Sequence, residues 1–552
     1  MKRNISVLLS LVALASVLLA SCGGGGGSTT SQYRFTEKVY SAASCDYGGE
    51  MKSIEAVDPL TVKFTLCRPD GSFIAKVAFA SFGIQPQEYL ESTGGKGALL
   101  EKPIGTGPYM VSSWERGNQL VYKAFPDYWG EKAKSSTLVF KWGTESAQRL
   151  LELQAGTVDA IDNVGPADFA AVQKDAKLKL INRDPLNVFY VAFTNTFPPF
   201  DNVKARQAIG MAIDKKRIVD NFYPAGSTPA DYFAPCGIAN GCVGDPWYKF
   251  DAAAAKTLLT EAGFPNGFKT KLYYRDVVRG YLPQVANVAQ DIQAQLKTNL
   301  NIDAEIVVME SGAFIPAANG GELNGIHLLG WGADYPDQSD FLSYFFGVGA
   351  TKEFGTKFDD LVKVLGQGDA TAGDAARKTF YEQANNLVKQ YVPMVPIAHG
   401  ASAMAYKATV AGAHSSPLTN ELFYGVNIPG QDTFVFMQNA EPISLYCGDE
   451  SDGESLRACV QSVESLYSYK VGGTESIPAL AEKCEPNADS TVWTCTLRKG
   501  VKFHDGSALD SMDVVASYVI QWDYSNPLHK GNSGAFDYWS GLWGGFINAP
   551  KK

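Results

Sequence analysis

An α/β fold is predicted by strand and helix patterns that alternate along the chain. Val62, Phe64 and Leu66 alternate with Thr61, Lys63 and Thr65, the period of a half-buried strand, and Asp58-Pro59 before them reads as a turn. Asp251 stands where a capping side chain would open a helix through Ala252, Ala255 and Leu259, with Gly263 closing it. Val285, Ala289, Ile292 and Leu296 recur at three- and four-residue steps, the apolar face of a second helix. Interleaved segments of both kinds favour α/β. No short internal repeat is present, which argues against a solenoid or propeller.

From the amino end, Lys2 and Arg3 precede an apolar run from Ile5 to Ala20. The run is shorter than the roughly 20 residues of a membrane span and reads as a signal-peptide core. Leu19-Ala20-Ser21-Cys22 resembles a bacterial lipobox, in which a lipid is attached to the cysteine, here Cys22; an ordinary cleaved signal ending in cysteine is the alternative. Residues 23–30 have the composition of a flexible tether, spanning roughly 17 Å root-mean-square for ten such residues. No later segment reads as membrane-spanning.

Export places the remaining cysteines in an oxidising compartment. Removing Cys22 from nine leaves eight, which allow on the order of 100 pairings. Sequence neighbours are Cys45 with Cys67, Cys236 with Cys242, Cys447 with Cys459, and Cys484 with Cys495. Gly237, Asn240 and Gly241 can turn the chain back between Cys236 and Cys242, so that pair is the firmest. No CxxC and no histidine at ligand spacing accompanies them, so no metal is expected. The 552 residues suggest roughly three domains. A net charge of -10 without a long basic run makes nucleic acid an unexpected partner.

Residues 497–518, LRKGVKFHDGSALDSMDVVASY, resemble the signature segment of the large extracytoplasmic solute-binding proteins of ABC importers, the family binding oligopeptides, dipeptides, nickel and some sugars. In that family the segment lies near the amino terminus; here it lies near the other end. Further family-like elements are Pro478-Ala479-Leu480-Ala481-Glu482, Gly105-Thr106-Gly107-Pro108-Tyr109, Tyr128-Trp129 and Val203-Lys204-Ala205-Arg206-Gln207-Ala208-Ile209. Asp432-Thr433-Phe434-Val435-Phe436 resembles a family beginning. A circular permutation accounts for this order. One domain followed by a truncated second copy is the rival account.

The resemblance implies a two-lobed periplasmic-binding-protein fold of type II, with an extra subdomain on one lobe. The expected division is a signal peptide at 1–22, a tether and new amino-terminal stretch at 23–45, the second part of the subdomain at 46–105, lobe I at 106–205 and lobe II at 206–405. Lobe I resumes at 406–470, and the first part of the subdomain follows at 471–552. Leu329-Gly330-Trp331-Gly332-Ala333-Asp334-Tyr335-Pro336-Asp337 resembles the family's "GW-x-x-D-x-x-D" element, which implies that Asp334 pairs with a ligand α-ammonium group. A charge-assisted hydrogen bond in a dry cleft suits that task; a loop aspartate capping a turn is the plainer reading. Trp331 is a candidate flat wall, or a core residue. Residues 273–283 resemble an "R-x-Y-x-P" segment, making Arg275 and Arg279 candidates for a ligand carboxylate, because guanidinium matches it as a two-pronged donor. Each could instead be solvated, or paired with Asp276.

Other signals are weaker. Gly105-Thr106-Gly107 lacks the spacing and lysine of a phosphate loop. The acidic run at 449–454 lacks calcium-loop spacing and reads as a solvated surface loop. His504 belongs to a family turn, and no Gly-x-Ser-x-Gly elbow is present. The expectation is a lipid-anchored, monomeric, extracytoplasmic binding protein. It is not an enzyme, has no cofactor, and delivers a peptide-like solute to an ABC permease. The same fold holding an oligosaccharide or a nickel chelate, a sensor, or a secreted hydrolase remain the alternatives.

Overall fold

The computed structural model describes residues 38–275 and 279–550. The lipobox cysteine, Cys22, lies outside them. Three sheets carry the architecture. A seven-stranded sheet runs Tyr109–Glu115, Gln119–Ala124, Thr137–Trp142, Thr433–Gln438, Ala160–Ile161, Ser402–Lys407 and Leu178–Arg183. A six-stranded sheet runs Thr228–Pro229, Met394–His399, Asn187–Phe193, Ile326–Gly332, Lys269–Arg275 and Asp303–Met309. A five-stranded sheet runs Lys38–Ser41, Met51–Asp58, Thr61–Leu66, Val492–Leu497 and Ala481–Pro486.

The local signals act as expected. Thr61–Leu66 buries Val62, Phe64 and Leu66 on one face. Asp251 accepts hydrogen bonds from the Ala253 and Ala254 amides and opens the helix Ala252–Glu261, past which Gly263 sits at φ +95°. The amphipathic stretch becomes the helix Val285–Leu300.

The tail of the chain is built into the front. Val492–Leu497 pairs antiparallel with Thr61–Leu66 and with Ala481–Pro486, so the five-stranded sheet is closed by residues more than 400 positions apart. The Glu50 amide donates to the Trp543 carbonyl at 2.6 Å. Phe73 stacks on Trp493 and packs against Trp543. His504 accepts from the Gly105 amide at 3.3 Å and faces the Gly107 carbonyl at 2.9 Å, locking the signature turn onto Gly105-Thr106-Gly107. Thr433–Gln438 likewise lies parallel between Thr137–Trp142 and Ala160–Ile161. All four neighbouring cysteine pairs are bonded: Cys45–Cys67, Cys236–Cys242, Cys447–Cys459 and Cys484–Cys495.

Several expected boundaries move. Lobe II begins with Asn187–Phe193 rather than at 206, because that strand pairs with both Ile326–Gly332 and Met394–His399. Ser402–Lys407 straddles the expected edge at 405 but belongs wholly to the seven-stranded sheet. The five-stranded sheet starts with Lys38–Ser41, in the amino-terminal stretch that precedes the expected subdomain edge at 46. Tyr446, Cys459 and Leu466, placed in lobe I by sequence, bury into the core under that sheet. The acidic run is not a solvated loop at its start. Asp449 is buried and accepts from the amides of Ser533, Gly534 and Phe536, which folds the loop before helix Asp537–Trp543 around one carboxylate.

Two short segments, residues 184–186 and 400–401, connect the seven- and six-stranded sheets. The Asn187 side chain ties them together, donating to the Gly400 carbonyl at 2.8 Å and accepting its amide at 2.9 Å. Beside them lies a buried network of four charges. Arg183 reaches Asp162 at 2.7 Å and Glu421 at 2.6 Å. Arg457 reaches Asp162 at 2.9 Å and Glu421 at 2.7 Å. Burial pushes both carboxyls up, but the two guanidinium groups outweigh it and hold them below the ordinary carboxylate range.

Candidate functional site

Ile326–Gly332 and Lys269–Arg275 are neighbouring parallel strands, so their C-terminal ends open on the same side of the sheet. That edge is where α/β sheets commonly hold ligands. Arg275 ends one strand; Gly330 and Trp331 lie near the end of the other, and Asp334 begins the loop beyond. Arg275 donates to the Tyr281 hydroxyl at 3.2 Å, and the Tyr281 ring lies against Gly330. An added Cβ at Gly330 would stand 2.3 Å from that ring and 2.6 Å from the Val188 carbonyl oxygen. Backbone cannot yield there, so Gly330→Ala should cost about 1–3 kcal/mol of stability in urea unfolding and displace Tyr281 from Arg275. Arg279 is exposed in a tight turn closed by its own backbone pairing with Leu282. Trp331 stacks on Tyr344, with ring centroids 4.5 Å apart, and meets Phe345 edge-on.

Asp334 lies where the central lobe meets the subdomain. Its Oδ1 accepts from the Tyr538 hydroxyl at 3.3 Å. Tyr538 belongs to the helix Asp537–Trp543, which packs into the core of the five-stranded sheet. The next residue, Tyr335, is buried in that same core. Asp334 is only half-buried by its exposed area, yet the loss of water around its carboxyl pushes it up to about 7, against a smaller opposing effect of the Tyr538 hydroxyl. Among the described residues no lysine or arginine forms an ion pair with it. Asp337 differs: Arg377 forks onto both its oxygens, and this partner, outweighing burial, keeps the carboxyl low. Asp337 is thus a structural anchor of the loop, whereas Asp334 has no lysine or arginine ion-pair partner among the described residues.

A groove of about 140 Å³ is walled by Tyr128, Trp129, Tyr424, Tyr467 and Tyr469. Glu464 stands in this wall and accepts from Thr106, Tyr128 and Trp129 at 2.7, 2.7 and 2.9 Å. None of Asp334, Trp331, Arg275 and Arg279 lines the groove. Tyr469 links the two regions, since it lines the groove and feels the charges of Asp340, Asp334 and Asp337. The Thr474 hydroxyl donates to the Gly237 carbonyl at 3.1 Å, tying this wall to the central lobe beside the Cys236–Cys242 bond.

Sequence reasoning missed Tyr538, Tyr469 and Tyr344. The first two reach Asp334 only through the fold. Tyr344 carried a local signal, the aromatic run Tyr344-Phe345-Phe346 shortly after Trp331.

The sequence model of the bacterial extracellular solute-binding proteins, family 5 (middle part), matches residues 26–353 and 475–539. The chain belongs to this family. It is 32% identical over 389 residues to heme-binding protein A of Haemophilus influenzae, covering 69% of this chain and 70% of that protein. It is 33% identical to a dipeptide-binding protein of Pseudomonas aeruginosa, covering 68% and 71%. Among solved structures, HbpA2 from Haemophilus parasuis is similar with a TM-score of 0.64 and 32% identity, over 69% of this chain and 76% of that one. The dipeptide-binding protein of Pseudoalteromonas sp. SM9913 in complex with Met-Leu is similar with a TM-score of 0.55 and 27% identity, over 66% and 73%. The two-lobed type II fold and a solute-binding role follow from this membership. Among the described residues no helix is long and apolar enough to cross a membrane.

Proposed function

We propose that this protein captures a peptide-like solute with a free amino group between its lobes. Asp334 pairs with the ammonium, and Arg275 stands as the candidate for the far carboxylate. The observation that carries this reading is Asp334 itself: a carboxylate where the central lobe meets the subdomain, pushed up by burial and lacking a cationic partner among the described residues. An ammonium ligand supplies the missing charge, and a charge-assisted bond there is stronger than a neutral one. The relatives named for dipeptides support the same class of ligand. Closure about residues 184–186 and 400–401 would bury the solute, as in other hinge-closing binding proteins. In the full reading a lipid on Cys22 tethers a monomer to the bacterial membrane, where it delivers its solute to an ABC permease.

A neutral solute such as an oligosaccharide is the second reading, favoured by the aromatic groove that Asp334 does not line. Mass spectrometry of material released by denaturing the purified protein separates the two. A released peptide with a free amine supports the first; a released sugar, with free and N-acetylated peptides bound equally weakly, sinks it.

We also read the chain order as a circular permutation of the family order. The pairing of Val492–Leu497 with Thr61–Leu66, and of Thr433–Gln438 within the seven-stranded sheet, supports one continuous unit. A chain ending at residue 430 should therefore fail to fold. A chain running 431–550 and then 38–430, which keeps the strand Lys38–Ser41 and the Cys45–Cys67 bond, should melt cooperatively, as the parent does. Cooperative melting of the first of these would leave the duplication account standing.

A further inference from the structure

The helix Leu342–Phe346 follows closely on the loop that presents Asp334, and it does not bury all of its aromatic rings. Phe345 and Phe346 sink into the core of the central lobe, whereas Tyr344 stays 37% exposed. The exposed ring is nonetheless held in place. Trp331 stacks on it with centroids 4.5 Å apart, and Phe345 meets it nearly at right angles at 4.9 Å. The Ser343 hydroxyl donates to Asp369 at 2.9 Å and pins the helix beside it. A tyrosine on a solvated helix face, the plainer reading, needs no such backing.

The position of the pair is set by the strand beneath it. Trp331 is the penultimate residue of Ile326–Gly332 and stands shortly before Asp334, so the stacked rings lie at the same strand end as the carboxylate. Of the charges that reach the Tyr344 hydroxyl, that of Asp334 acts most strongly, ahead of Asp340 and Glu353. Trp331 is covered by Tyr344 and met edge-on by Phe345, so Tyr344 presents the open ring surface of the pair. In a peptide, the carbon that carries the α-amine also carries the first side chain. An ammonium held at Asp334 therefore brings that side chain to this end of the strand. Stacked or edge-to-face rings gain more than burial of their area alone, and a ring already fixed by its neighbours loses little freedom when a ligand lands on it.

We propose that Tyr344, backed by Trp331, is a specificity-determining residue of the solute site: its open ring surface packs against an aromatic first side chain, so that the protein selects free-amine peptides that begin with an aromatic residue. This rests on the ligand reading above.

Calorimetry with Phe-Leu, Ala-Leu and the N-acetyl form of each tests it. The parent should bind Phe-Leu about tenfold more tightly than Ala-Leu. Tyr344→Ala should cut that ratio to about twofold by weakening Phe-Leu, with Ala-Leu little changed. Tyr344→Phe keeps the ring and should keep the ratio. Tyr344→Leu keeps apolar surface without a ring and should lose most of it; this variant serves alone if Tyr344→Ala does not fold. A parent that binds Phe-Leu and Ala-Leu equally overturns the inference, and so does a ratio that survives in Tyr344→Ala or Tyr344→Leu. The ligand reading fails separately. Equal binding of free and N-acetylated peptides, with a Phe-Leu preference that Tyr344→Ala abolishes, defeats the ammonium pair while supporting the ring surface. Failure of all the probes to bind the parent defeats both.

Discussion

Glu421→Gln should lower the stability of the protein by about 3–5 kcal/mol, the usual cost of removing one partner from a buried ion pair. Glu421 binds Arg183 and Arg457 at once, and also accepts the Ser416 amide at 2.9 Å. With its charge gone, two buried guanidinium groups share Asp162 alone. Urea unfolding at pH 7 measures the loss; a change under 1 kcal/mol would mean that water reaches the network. The pH dependence has a definite sign. Both carboxyls titrate lower in the folded chain than in the unfolded one, so their stabilisation is complete above the unfolded value of about 4. It is lost as pH falls through the folded values. Glu421→Gln should therefore be less stable than the parent at pH 7, with the gap narrowing in strong acid.

Asp334→Ala should weaken binding of free-amine peptides by about 2–5 kcal/mol if the pair is fully desolvated, roughly thirty- to several-thousand-fold in Kd. Acetylating the peptide amine should cost the parent a comparable amount and the variant little more. Calorimetry on those four combinations isolates the ammonium–carboxylate pair from other losses. The effect on the empty protein runs the opposite way. A carboxyl pushed up to about 7 is a cost to folding whenever it is ionised. Removing it should leave unliganded stability above pH 7 unchanged or higher. Substantial destabilisation there would recast Asp334 as a loop cap, the plainer reading of its sequence position.

The residues that spoke clearly in the sequence are those whose signals are local. Alternation at Thr61–Leu66 and the cap at Asp251 depend on neighbours a few positions away, and both elements form where expected. Asn187–Phe193 did not speak, because Val188 through Phe193 are buried in succession and show no period of two. That silence moved the lobe boundary. Asp449 misled because acidic runs usually face water, and nothing in its neighbourhood reveals the three amides that arrive from residues 533–536. The candidate site was half legible. The segment around Asp334 resembled a known element, whereas Tyr538 meets it across 204 residues, a distance no local pattern bridges.

The pairing of Thr61–Leu66 with Val492–Leu497 has a kinetic cost. At ribosomal rates of about 5–20 residues per second, the early strand waits roughly 20–90 s for its partner to be made. Through that interval its edge presents unpaired amides and carbonyls, the template on which foreign strands add. The hairpin cannot bury its apolar face until Phe73 finds Trp493 and Trp543. Expression at low temperature, or with a holdase that covers strand edges, should therefore raise soluble yield more for this chain than for one in which the two strands are made in succession.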